Sequence, residues 1–142
     1  MIYSIKSYNY PEAYVCHSGN LGFIKTEKEG ANVENASFIL RKGLANNYCI
    51  SFELANSKLH YLIAENGRMK LAKIVNTLEF NNSATFCIRP GNAGRGISFV
   101  SYDNPDNFIR HRNGELLITS FSKGRERFQE DSTFHISESL HN

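Results

Sequence analysis

The chain has 142 residues, enough for one domain with a proper core. Hydrophobic residues make up 41% and charged residues 21%, ordinary globular usage that argues against disorder. The 16 Lys and Arg against 14 Asp and Glu leave a net charge of +2, too small to argue for nucleic acid on its own.

The chain opens on MIYSIKSYNYP, which has neither a basic n-region nor an apolar h-region, so no signal peptide is expected. No apolar run reaches membrane-spanning length. The expectation is either a cytoplasmic protein or an excised module of a longer secreted chain. Next come Ser4-Ile5, a turn at Tyr8 to Pro11, the segment EAYVCH, Gly22 with Ile24, and ASFIL around Phe38. A glycine turn (RKGLANN) follows, and the same order returns: Ser51-Phe52, LHYLIA, Met69 with Leu71, and ATFCI around Phe86. After RPGNAGR it returns again: Ser98-Phe99, the turn YDNP, DNFIRH, Leu116 with Ile118, and STFHI around Phe134.

Ser4, Ser51 and Ser98 stand 47 residues apart, so the chain reads as three repeats of about that length. Apolar positions step by two, as in half-buried strands, and N-G, N-Y-P, K-G and P-G punctuate them. The pattern predicts about four strands per repeat and no helix, apart from a short helical turn in NVENASF. Three four-stranded units with pseudo-threefold symmetry predict an all-β fold, a β-trefoil: a closed barrel capped by hairpins. Closure removes sheet edges, which favours it over an open sheet. The expected organisation is one trefoil over 1–142, with units at about 1–48, 49–96 and 97–142.

The predicted core has four layers: Ile5, Phe52 and Phe99; Val15, Leu62 and Ile109; Ile24, Leu71 and Ile118; and Phe38, Phe86 and Phe134. Cys16, Cys49 and Cys87 are odd in number and widely spaced. They fit neither a disulfide framework nor a C-x-x-C metal site and are expected to act as small buried hydrophobes.

Positions that differ between repeats point to a site. One column holds His17, Ala64 and His111; another, three residues before the recurring phenylalanine, holds Asn35, Ser83 and Asp131. The third repeat carries histidine, aspartate and an aromatic-N-P turn. The first keeps the histidine and the turn but has asparagine for the carboxylate. The second has lost all three, so folding does not require them. A carboxylate can accept from two neighbouring hydroxyls, a neutral imidazole offers one donor and one acceptor, and an aromatic ring can cover the C–H face of a sugar. The plainer alternative is that His111 caps a strand end and Asp131 pairs with Arg110 or Arg112.

The run S-F-x-S-Y-x-N-P-x-x-F-I-R-H-x-N, the later D-S-T-F, and R-P-G-x-A-G-x-G between repeats resemble the arabinose-binding domain of α-L-arabinofuranosidase B, classed as carbohydrate-binding module family 42. The resemblance spans the chain and is strongest in the third repeat. It implies a β-trefoil that binds L-arabinofuranose side branches of arabinoxylan or arabinan. Its pocket residues map onto Tyr102, Asn104, Pro105, His111 and Asp131, and the reading of the residues adds Tyr102 or Phe108 as the aromatic wall. A weaker secondary site maps onto Tyr8, Tyr10, Pro11, His17 and Asn35. The second repeat, with Ala64 and Ser83, is expected not to bind in this way.

A glycosidase normally needs two carboxylates flanking the bond. Asp131 is a motif residue, whereas Asp103, Asp106, Glu115 and Glu130 read as turn surface, so a non-catalytic binding module is expected. No P-loop, G-x-S-x-G elbow or zinc spacing appears, so neither cofactor nor metal is expected. The expected partner is an arabinofuranose-containing polysaccharide or oligosaccharide bound by a monomer, without nucleic acid or membrane. Two alternatives remain. One is a protein-interaction trefoil, lectin-like or inhibitor-like, without sugar binding. The other, disfavoured, is nucleic-acid binding through IRHRN and SKGRER, the latter reading better as a solvated hairpin tip.

Overall fold

The computed structural model describes residues 1–121 and 127–140. SKGRER, except for its last residue Arg127, lies outside them. The described residues form an all-β structure whose 12 strands join one sheet. In chain order these are β1 (Ile2–Ser7), β2 (Tyr14–Ser18), β3 (Leu21–Lys25), β4 (Phe38–Lys42), β5 (Ile50–Leu54), β6 (His60–Glu65), β7 (Arg68–Lys73), β8 (Phe86–Pro90), β9 (Ile97–Ser101), β10 (Asn107–Arg112), β11 (Glu115–Ser120) and β12 (Phe134–Glu138). Two short helices interrupt them, α1 (Leu78–Ser83) and α2 (Phe128–Asp131).

Six strands close a ring. β1 pairs with β4, β4 with β5, β5 with β8, β8 with β9, β9 with β12, and β12 returns to β1. The β1–β12 seam is a full ladder from Tyr3↔Glu138 to Ser7↔Phe134. The other strands make three hairpins, β2–β3, β6–β7 and β10–β11, which touch one another through Leu21↔Lys70, Arg68↔Leu117 and Phe23↔Glu115. Two of the hairpins turn on Asn66-Gly67 and Asn113-Gly114, and all four residues have positive φ. This is the backbone that a tight two-residue hairpin matching strand twist requires.

All 12 predicted core residues are buried. Phe52 sits centrally, its ring 5.1 Å from Phe99, 5.8 Å from Phe86 and 6.3 Å from Phe38. The recurring serines are buried too. Ser51 Oγ donates to Ala84 O and accepts from Leu44 N, and Ser98 Oγ does the same with Ser132 O and Asn92 N. The Ser51 and Ser98 hydroxyls tie the loops between repeats to the barrel wall, whereas Ser4 Oγ has no partner among the described residues.

Two expectations need correction. First, helices are present. α1 is capped by Thr77, whose side chain accepts from Phe80 N, and both helices are too short to show a helical period in the sequence. NVENASF makes the single helical turn expected of it, Ala36 N donating to Asn32 O, and Asn32 and Asn35 each donate a backbone N–H to the other's Oδ1. Second, Cys49 and Cys87 form a disulfide. They meet because β5 pairs with β8 at Ile50↔Phe86, which brings the residues on either side together. Cys16 remains a buried free thiol, and burial pushes its pKa up to about 11.

Candidate functional site

Each turn after the first strand of a repeat docks on the preceding repeat, not on its own. Tyr8 N donates to Thr133 O, Ala55 N to Ser37 O, and Tyr102 N to Thr85 O. The β1–β2 turn therefore crosses the seam and lies beside α2 and β10.

There it meets His111 and Asp131. Both are buried, 3% and 9% exposed, although their neighbours on β10 and α2 reach solvent. Asp131 Oδ2 accepts from Arg110 Nη2 at 2.9 Å, and Oδ1 accepts from Asn9 Nδ2 at 2.8 Å. A carboxylate only accepts, so it sets the orientation of the Asn9 amide. Asn9 Oδ1 must then face the imidazole, and His111 Nε2–H donates to it at 2.8 Å. Ser7 Oγ donates to the same oxygen at 3.1 Å and accepts from Tyr10 N at 3.2 Å. The outcome is a neutral imidazole protonated on Nε2. Burial, the largest influence, holds the His111 pKa below its ordinary range; Asp131 pulls it up and Arg110 pushes it down.

Tyr10, Arg110, His111 and Asp131 line a cleft of about 850 Å³ between the β10–β11 hairpin, α2 and the β1–β2 turn, with Ile24, Thr26 and Glu29 on a further side. Tyr10 supplies its aromatic wall. This ring is half exposed and 5.2 Å from the His111 ring. On the β11 side Thr119 Oγ1 is buried without a partner among the described residues. Among the described residues each oxygen of Asp131 accepts one hydrogen bond, with His111 Nε2 a further 3.5 Å from Oδ1, which leaves each oxygen an acceptor site.

The structure regroups the predicted site residues. His111 and Asp131 come together, and Arg110 pairs with Asp131 as the plainer alternative expected. Tyr102, Asn104 and Pro105 do not join them, because their turn crosses to the second repeat. Asp103 and Asn104 of that turn line a separate pocket of about 160 Å³ with Ala64 and Ser83. Phe108 packs edge-on against buried Phe128 at 6.1 Å and is no wall of the cleft. The first-repeat set is also divided. Tyr8 stacks near His135 at 5.9 Å, and Tyr10 and Pro11 sit on the turn at the seam. His17 donates from Nδ1 to Gly19 O, and Asn35 Nδ2 donates to Gly30 O, so both are used locally. Asn9 and Ser7 were not anticipated, nor was Tyr10 as a neighbour of His111. The available signal was the predicted closure itself, which brings the first turn against the third repeat.

The fold and this cleft define a closed β-barrel domain with a buried histidine–carboxylate pair at a strand seam. Residues 3–136 match the family model of the alpha-L-arabinofuranosidase B domain, and the chain belongs to that family. It is 34% identical over 110 residues to an alpha-L-arabinofuranosidase of Hypocrea jecorina, covering 75% of this chain and 22% of that protein. It is 30% identical over 125 residues to alpha-L-arabinofuranosidase B of Penicillium canescens, covering 86% and 27%. The chain thus spans about a quarter of the length of these curated relatives. Among solved structures, an arabinofuranosidase complexed with arabinofuranosyl-alpha-1,2-xylobiose superposes with a TM-score of 0.88 at 24% identity. That match covers 97% of this chain and 31% of the other. The BEL β-trefoil superposes at 0.71 with 11% identity, covering 98% and 92%.

Proposed function

We propose that the chain is a β-trefoil of three four-stranded units, at about 1–48, 49–96 and 97–142, and acts as a non-catalytic carbohydrate-binding module. Its ligand would be the L-arabinofuranose side chain of arabinoxylan or arabinan, bound by a monomer in the seam cleft. The observation that carries this reading is the buried His111–Asp131 pair at the cleft wall, with acceptor capacity left on both carboxylate oxygens. Two vicinal hydroxyls can each donate to one of them, and hydrogen bonds to a charged group contribute about 1.5–3 kcal/mol each. His111 Nδ1, the acceptor nitrogen of this tautomer, has no partner among the described residues and can take a third hydroxyl. Tyr10 can cover the apolar face of the furanose. Membership of the family and the sugar complex of a structural neighbour support the same ligand class.

A cleft with one aromatic wall suggests a modest Kd, between about 1 mM and 1 μM. The non-catalytic reading is supported by the use of Asp131 in bonds to Arg110 and Asn9, since glycoside hydrolysis normally needs two carboxylates poised across the bond. The Cys49–Cys87 disulfide suits an oxidising compartment, so we place the protein's work outside the reducing cytoplasm.

The test is calorimetric titration of an arabinofuranose-substituted xylo-oligosaccharide into the wild type, Asp131→Ala and His111→Ala. The expected result is saturable binding by the wild type and a loss of at least tenfold in each variant. A folded wild type that gives no heat would refute the sugar reading. Binding unaffected by either substitution would move the site elsewhere.

A further inference from the structure

We propose that Asn9 is the positioning and specificity-determining residue of the seam cleft: its amide, brought from the first repeat, sets the His111 tautomer and keeps a second carboxylate away from Asp131 Oδ1. This rests on the reading of the cleft as the sugar site.

The hydrogen-bond chain runs one way. Asp131 Oδ1 only accepts, so Asn9 Nδ2 must donate, Asn9 Oδ1 must accept, and His111 Nε2 must donate. Ser7 Oγ–H donates to the same Oδ1 and so reinforces the direction. The groups around the imidazole are Asp131 from α2, Arg110 from β10, Tyr10 and Asn9 from the β1–β2 turn, and Ser7 from β1. Within this set only an amide at position 9 can serve both neighbours. A carboxylate there would face Asp131 Oδ1 at hydrogen-bond distance, and two carboxylates that close cannot both stay ionised.

The other two junctions obey the same restriction. Where the second repeat offers Ser83, the crossing turn carries Asp103. Where the first repeat offers Asn35, the crossing turn carries Asn56, whose amide reaches Val33 O. No junction pairs two carboxylates. At the junction of Asn9 and Asp131 the charge sits on α2 beside the histidine.

Two readouts test this on the whole chain. The first needs no sugar: nitrogen-15 NMR of the His111 ring in wild type, Asn9→Ala and Asn9→Asp. The wild type should show a neutral ring protonated on Nε2. Asn9→Asp should raise the pH at which His111 titrates, and Asn9→Ala should mix the tautomers. One tautomer and one titration midpoint in all three proteins would overturn the proposal. The second readout is affinity for the arabinofuranose-substituted xylo-oligosaccharide. Asn9→Ala should weaken binding about tenfold and also lower Tm, since buried His111 and Asp131 lose a partner. Asn9→Asp should bind poorly at pH 8 and gain affinity on acidification, a gain the wild type lacks. Asn9→Ala binding like wild type, while Asp131→Ala does not, would overturn the positioning role and leave the sugar site standing. If Asp131→Ala also binds like wild type, the sugar reading of the cleft fails. Should Asn9→Ala not fold, the near-isosteric Asn9→Asp carries both readouts.

Discussion

His111 is kept neutral by its surroundings, and this has a consequence for stability. Its folded pKa lies below the ordinary histidine value near 6.5, chiefly because it is buried. The unfolded chain therefore takes up the proton first as pH falls. The ring's contribution to stability is complete above about pH 6.5 and is lost as pH drops from there through the depressed folded value. Denaturant midpoints measured from pH 7.5 to 5 should fall, and His111→Gln should flatten the part of that slope which His111 supplies. An unchanged slope in the variant would mean that the ring does not titrate out of a buried neutral state. His111 and Asp131 were legible in the sequence because the second repeat folds without either. Asn9 was not. Its column reads Asn9, Asn56 and Asp103, three similar polar residues at a turn, so comparing repeats gave no contrast. Its partners belong to another repeat, and spacing within one repeat cannot show that.

At the scale of strands and helices, the core follows directly from period-two alternation, and every residue predicted for it is buried. The helices and the disulfide did not follow. α1 and α2 have 6 and 4 residues, too few for a periodic signature. Cys87 lies in β8 and Cys49 in the bend just before β5, and alternation does not say which strands lie side by side. The bond joins residues 38 apart across the β5–β8 contact. In the chain-entropy picture, closing a loop of that length stabilises the fold by about 4 kcal/mol. Cys49→Ala/Cys87→Ala, or reduction of the wild type, should lower the unfolding free energy by roughly that amount in denaturant melts. A loss well under 1 kcal/mol would show that the bond constrains little in the unfolded chain. The buried thiol Cys16 should remain unreactive to alkylating reagents in the native state in either case.

Across the whole molecule, the β1–β12 ladder joins the first strand to the last, and the cleft lies over that seam. A ligand held by Asp131 on one side and Tyr10 on the other clasps both sides together. Under the sugar reading, ligand at a hundredfold excess over Kd should stabilise the fold by about 2.7 kcal/mol. Hydrogen exchange should slow most at the amides of β1 and β12. Protection spread evenly over the barrel would count against a site at the seam.

The crossing turns bring the first turn of one repeat against the segment before the closing phenylalanine of another. Asp103 and Asn104 meet Ser83 in this way at one join. Tyr10 meets Asp131 at another. That second join exists because the ring closes, and it is the one that holds His111, Asp131 and Asn9. The best-furnished pocket in the molecule is therefore a product of circularity, assembled from residues at opposite ends of the chain and absent from any fragment that leaves the circle open.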